Sequence, residues 1–141
     1  MTEFKYAVIC VDDDPYILQM LGFQLSKIMD QKCTLIEYYT DPNDALTNID
    51  QMVAESIDII FVIVDYQMPK MTGADLIRAV KAKHADLRCV MLSGQANTSS
   101  VNSLKEENLL EQFLAKPWDE SELFDTLIPL IKSGQSPGKK M

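Results

Sequence analysis

Asp12, Asp13, Asp65, Ser93 and Lys116 are the residues of this chain whose types and placement could do chemistry, because each stands where an apolar run stops. Tyr6 to Val11 ends on Asp12-Asp13-Asp14, and Ile57 to Val64 ends on Asp65. Arg88 to Leu92 delivers Ser93-Gly94, and Gln112 to Ala115 is followed by Lys116-Pro117-Trp118. Two or three carboxylates a few ångströms apart repel and raise one another's pKa unless a cation lies among them. A hard divalent ion relieves this, and magnesium prefers a few carboxylates, several waters and often a phosphate oxygen. No His or Cys is placed to suggest zinc, since His84 is alone and reads as ordinary surface at a polar helix end. Lys116 brings a positive charge for a second anionic oxygen, and the Ser93 hydroxyl can donate to a third. The set suits a phosphoryl group on a carboxylate nucleophile, its charge stabilised by metal, lysine and hydroxyl. Taken singly, the acidic cluster also fits a helix cap with solvated neighbours, Ser93 a turn residue and Lys116 a solvated loop lysine. Four independent strand ends would then each have to place a suitable group by chance.

Those ends converge if the apolar runs are parallel strands of one sheet. Ile57 to Val64 is almost wholly apolar, as a strand buried on both faces must be. Five strand–helix alternations predict an α/β fold, a doubly wound parallel sheet with helices on both faces. Asp14-Pro15 opens the first helix, which the spacing of Ile17, Leu21, Leu25 and Ile28 carries to about Met29. Cys33 to Tyr38 makes the second strand, and Asp41-Pro42 starts a helix with Ala45, Leu46, Ile49, Met52 and Val53 as its buried stripe. Beyond Asp65, Met68-Pro69 forces a turn and Gly73 lets the loop adopt angles other residues resist. Leu76, Ile77 and Val80 mark a third helix ending near His84. The fourth, Asn97 to Glu107, contains Thr98, Ser99, Ser100, Asn102 and Ser103, each costing up to roughly 0.7 kcal/mol against Ala, and should be the least stable. Asp119 and Glu122 have capping-box spacing before the last stripe of Leu123, Phe124, Leu127, Ile128 and Ile131, inside which Pro129 predicts a kink or early stop.

One domain covering residues 1–132 accounts for this pattern, with 133–141 as a flexible tail or the start of a linker. The formal charge of −8 argues against a nucleic-acid or acidic-membrane surface. Cys10, Cys33 and Cys89 are odd in number, lie in apolar runs and read as reduced core residues. Without a membrane-length apolar run or a signal-peptide layout, the expected compartment is the cytoplasm.

Val11-Asp12-Asp13, Asp65 followed by Met68-Pro69 and Met71-Thr72-Gly73, Ser93-Gly94, and Phe113 with Lys116-Pro117 together resemble the response-regulator receiver domains of two-component phosphorelay signalling. The resemblance covers nearly the whole chain. It implies a flavodoxin-like sheet of strand order 2-1-3-4-5. It implies Asp65 as the phospho-acceptor, served by a histidine kinase or phosphotransfer partner. Asp12, Asp13, Asp65 and the Gln67 backbone carbonyl would bind magnesium or manganese, and Ser93 and Lys116 would contact the phosphoryl group, with Lys116-Pro117 a cis peptide. Ser93 and Phe113 would be the switch pair, although Phe113 stands where many members have tyrosine and has no hydroxyl to bond. Gln67 and Gln95 occupy the positions that tune dephosphorylation. The fourth helix, fifth strand and fifth helix would form the face that meets an output domain or a second copy. Two alternatives stay open: a receiver-like binding module that is not phosphorylated, and an aspartyl-phosphate phosphohydrolase.

Overall fold

A computed structural model describes residues 4–94 and 99–135. Its strands are β1 (Tyr6–Val11), β2 (Thr34–Tyr39), β3 (Asp58–Asp65), β4 (Cys89–Ser93) and β5 (Gln112–Ala115), each followed by a helix. The helices are α1 (Pro15–Leu25), α2 (Pro42–Ala54), α3 (Gly73–Lys83), α4 (Ser99–Glu106) and α5 (Glu120–Gln135). All neighbouring strands pair parallel in the order β2-β1-β3-β4-β5. Register brings the chemistry to one edge. Val11 lies beside Val64, so Asp12 emerges level with Asp65, while Ser93 lies beside Ala115 and so next to the root of Lys116.

Side chains on the sheet alternate between two cores. Ala7, Ile9, Val11, Val62 and Val64 join one, and Val8, Cys10, Phe61 and Ile63 the other. Ile60 breaks the alternation by facing the same way as Phe61, where the β1–β3 register shifts between Ala7 and Val8. This is a β-bulge, and because one residue of slip exchanges the two faces of a strand, it sets the phase in which Asp65 arrives. The Ile60 carbonyl accepts from Arg88 Nη2 at 3.2 Å, and the same nitrogen donates to Leu130 O at 2.8 Å, joining the bulge to α5.

The helix starts follow their caps. Asp14 accepts from the Tyr16 N–H and Asp41 from the Asn43 N–H, both at 2.9 Å, with Pro at the first helical position in each case. Thr72 and Asp75 form a capping box at α3. At α5 the Asp119 N–H donates to Glu122 Oε1 at 3.0 Å.

Several expectations need correction. α1 ends at Leu25, because Ser26 turns its hydroxyl onto the Phe23 carbonyl and the next amides form tighter bonds three residues back. Val53 is 38% exposed and stands off the α2 stripe. Cys33 lies just before β2 and is half-buried, whereas Cys10 and Cys89 are core residues whose thiol pKa values burial pushes up, Cys89 to about 12. Gly73 has no positive φ; it is needed because a Cβ there would run into the Asp65 carbonyl. α5 does not stop at Pro129 but continues to Gln135, since Leu127, Leu130 and Ile131 are buried around the proline and packing offsets the lost hydrogen bond; residues 133–135, expected as the start of a tail, are therefore helical. His84 is not ordinary surface: its side chain is 18% exposed, and Nε2 lies 2.7 Å from Asp50 Oδ1, clasping α2 to the end of α3. Among the described residues no helix is long and apolar enough to cross a membrane.

Candidate functional site

Asp12, Asp13, Asp14, Asp65, Gln67, Ser93, Gly94 and Lys116 line one cavity of about 410 Å³ at the carboxyl edge of the sheet. Asp12 is 1% exposed and Asp65 5%, an uncommon degree of burial for carboxylates. Both are reached by one cation: Lys116 Nζ lies 2.8 Å from Asp65 Oδ1 and 3.2 Å from Asp12 Oδ2. The lysine is anchored where it leaves β5, its N–H donating to the Ser93 carbonyl at 2.8 Å. The Lys116-Pro117 bond is cis. Asp12 also accepts from the Asp14 N–H at 2.9 Å, which ties it to the start of α1. Behind Asp65 the chain turns sharply, and the Gly73 N–H donates to the Tyr66 carbonyl at 2.7 Å.

Burial pushes the Asp12 carboxyl up to about 6, with the nearby Asp65 charge adding to the rise and the Asp14 N–H and Lys116 opposing it. Asp65 is also raised, chiefly by burial and further by Asp13, against the pull of Lys116. Burial alone would lower the Lys116 ammonium, yet Asp65 and Asp12 outweigh it and hold the group above its ordinary value. One cation thus faces two buried carboxylates, and the exposed Asp13 adds a third negative charge at the rim. Carboxylate oxygens of Asp12, Asp13 and Asp65 all lie within 4.8 Å of one another. An all-oxygen donor set carrying this much unbalanced negative charge fits a hard divalent cation such as magnesium.

Six of the residues singled out in the sequence are therefore brought together: Asp12, Asp13, Asp65, Gln67, Ser93 and Lys116. Phe113 is not among them. It is half-buried against the core on the α3 and α4 side, with Lys105 Nζ of α4 5.4 Å from its ring centre. Gln95 lies outside the described residues.

Two features escaped the sequence. Trp118 Nε1 donates to Gln24 Oε1 at 3.0 Å, joining the loop after Lys116 to α1. Trp118 itself packs against the core, as its place at the base of α5 suggests. The second feature is an exposed apolar face on α1, the helix that starts at the acidic cluster: Tyr16, Met20 and Phe23 are 78%, 41% and 66% exposed. Tyr38 of β2 lies across Gly22, where a Cβ would meet its ring. The spacing of 16, 20 and 23 is visible in the sequence as a second apolar stripe on α1, masked there by the stripe that packs on the sheet.

Residues 8–128 match the family model of the response regulator receiver domain. The chain is 32% identical over 130 residues to the two-component response regulator ARR8 of Arabidopsis thaliana, covering 82% of this chain and 56% of the relative. It is 35% identical over 147 residues to the two-component response regulator ORR4 of Oryza sativa subsp. indica, covering 94% and 62%. The chain thus spans little more than half the length of these relatives. In fold it is similar to the signal receiver domain of an HD domain-containing protein from Pseudomonas fluorescens Pf-5, with a TM-score of 0.76 at 24% identity over 94% of this chain and 98% of that one. It is likewise similar to a chain of the CheX–CheY–BeF3–Mg complex of Borrelia burgdorferi, with a TM-score of 0.74 at 19% identity over 91% and 90%. The strand ends, the cavity they line and the match along most of the chain agree, and this protein belongs to the response regulator receiver domains.

Proposed function

We propose that this receiver accepts a phosphoryl group on Asp65 from a histidine kinase or phosphotransfer protein, and that the group's arrival changes the face made by α4, β5 and α5. The observation that carries the proposal is the pairing of Lys116 with Asp65 at 2.8 Å inside a cavity that also holds Asp12, Asp13 and Ser93. A carboxylate at a strand end, with a cation beside it and a serine lining the same cavity, suits in-line attack on phosphorus. An Asp65 carboxylate oxygen forms the new bond to phosphorus as the bond from phosphorus to the donor nitrogen breaks, and the donor imidazole leaves with that electron pair. Lys116 then contacts a phosphoryl oxygen and Ser93 donates to another. Asp12, Asp13, Asp65 and the Gln67 carbonyl would hold magnesium or manganese. That ion supplies charge neutralisation for the transferring group.

Ser93 moving toward the phosphoryl group, with Phe113 turning inward, relays the change to α4. α4 is short and rich in Ser and Asn, so a small local bias shifts it. The altered face would serve an output domain or a second copy. Tyr16, Met20 and Phe23, on the helix that starts at the acidic rim of the cavity, would receive the donor. Gln67 and Gln95 tune how water reaches the phosphoryl group. In this reading the chain through the end of α5 at Gln135 is a cytoplasmic signalling domain that catalyses only its own phosphorylation and dephosphorylation, with any tail or linker following α5.

Incubation with magnesium and acetyl phosphate, followed by intact-mass measurement, tests the proposal. A stoichiometric adduct that vanishes in Asp65→Asn supports it. Absence of any adduct favours the binding module, and catalytic consumption of excess donor favours the phosphohydrolase.

A further inference from the structure

We propose that Gln24 and Trp118 form a strut that sets the reach of Lys116 toward Asp65, making both positioning residues for phosphoryl acceptance; this rests on Asp65 being the acceptor. Gln24 is a polar residue on the inner face of α1, 9% exposed and set among Leu18, Leu21 and Leu25. An amide buried on an apolar face costs free energy unless hydrogen-bonded. Its oxygen takes the indole N–H of Trp118 at 3.0 Å, across 94 positions of sequence. Trp118 is the chain's one tryptophan, lies two residues beyond Lys116 and is wedged against the core shared by α1 and α5.

The loop from Lys116 to Asp119 is therefore held from two sides. At its start the Lys116 N–H is bound to the Ser93 carbonyl at 2.8 Å. At its far side Trp118 is pinned to α1. Between these anchors the Lys116 ammonium reaches Asp65 and Asp12 at 2.8 and 3.2 Å. A second tie joins the same elements: Lys27 Nζ pairs with Glu120 Oε1 at 2.8 Å and lies 4.8 Å from the Phe23 ring centre. Those partners are 43% and 38% exposed, so their pairing holds the loop weakly, and the part-buried bond from Trp118 to Gln24 is the one that fixes it.

α1 links the two halves of the site. Its N-cap, Asp14, directly follows Asp12 and Asp13, and ten residues on it carries Gln24, a separation of about 15 Å along the axis. A displacement of α1 would thus move the acidic side of the cavity and the lysine side together. Rates depend steeply on such placement, since an error of about 1 Å in a reacting group can cost on the order of 100-fold.

The test compares Trp118→Phe, Gln24→Leu and the two combined with the wild type, using urea unfolding and the rate of adduct formation from acetyl phosphate with magnesium. Removing donor and acceptor together leaves no unpaired group, so the double variant is expected to keep near wild-type stability while its rate falls roughly three- to tenfold. In a Lys116→Met background, adding Trp118→Phe should lower the rate no further, because the strut acts through the lysine. The Lys116 13Cε resonance should shift in the double variant without any phosphodonor. An unchanged rate, an equal fold-loss in the Lys116→Met background, or an unshifted resonance overturns the strut. A wild type that takes no adduct overturns the acceptor reading instead, and the resonance still decides the strut.

Discussion

Replacing Lys116 by Met keeps the aliphatic stem but removes the one cation that, among the described residues, pairs with Asp12 and Asp65. At an effective dielectric of about 20, unit charges at the observed 2.8 and 3.2 Å attract by roughly 6 and 5 kcal/mol. That sum is not what unfolding would report, because a carboxylate stranded in this cavity takes up a proton instead. At pH 7, protonating a carboxyl of ordinary pKa 3.8 costs about 1.36 kcal/mol per pH unit, or about 4 kcal/mol, which caps the loss at each acid. Asp12, already raised to about 6, needs little more to become neutral at pH 7. The expected destabilisation is therefore about 3–5 kcal/mol, the usual cost of breaking a buried pair from one side.

The sign of the pH dependence follows. In the variant the folded state keeps protons that the unfolded state has released, so stability rises as pH falls from 7 toward 5, by up to about 1.4 kcal/mol per unit for each such carboxyl. It reaches its full value below the unfolded pKa of 3.8 and is lost as pH rises through the raised folded values. Urea unfolding in EDTA at several pH values between about 5 and 8 measures this. A loss below about 1 kcal/mol, or one independent of pH, would refute the reasoning that Lys116 neutralises two buried acids.

Other substitutions separate the parts of the account. Gly73→Ala should destabilise by about 1–3 kcal/mol in urea unfolding, since its methyl group meets the Asp65 carbonyl and the Tyr66 backbone, neither of which can swing away. Phe23→Ala should weaken phosphotransfer from a protein donor by roughly tenfold while leaving the rate with acetyl phosphate unchanged, as for loss of one aromatic anchor; equal effects on both donors would remove α1 as the docking face. Gln67→Glu should alter the lifetime of the mass adduct with less than about 0.5 kcal/mol change in stability, as for an exposed side chain. Hydrogen exchange should slow or quicken in α4, β5 and α5 on phosphorylation, and an unaltered pattern there would contradict the switching face.

Much of the site was legible because it is built from strand ends. Parallel strands in register deliver their terminal residues to one edge, so Asp12, Asp65, Ser93 and Lys116 could be grouped from where the apolar runs stop. The bulge at Ile60 was not legible, since in a run apolar on both sides one extra residue leaves no break in pattern. The end of α1 was hidden in the same way: Ile28 continues the apolar spacing, whereas the helix is closed by the Ser26 hydroxyl. Contacts between distant polar residues leave little trace in sequence. Gln24 meets Trp118 across 94 positions and His84 meets Asp50 across 34, and neither pair has a spacing that local periodicity can report. Gln24 did carry a faint signal, an amide among leucines on an inward face.

The most direct measurement of the central claim is chemical trapping of the acceptor. After reaction with acetyl phosphate and magnesium, borohydride reduces an aspartyl phosphate to homoserine with release of phosphate, and peptide mass mapping then locates the altered residue. The account predicts homoserine at position 65 and nowhere else. Reduction at Asp12 or Asp13, or a phosphoryl group resistant to borohydride and borne by Ser93, would contradict it.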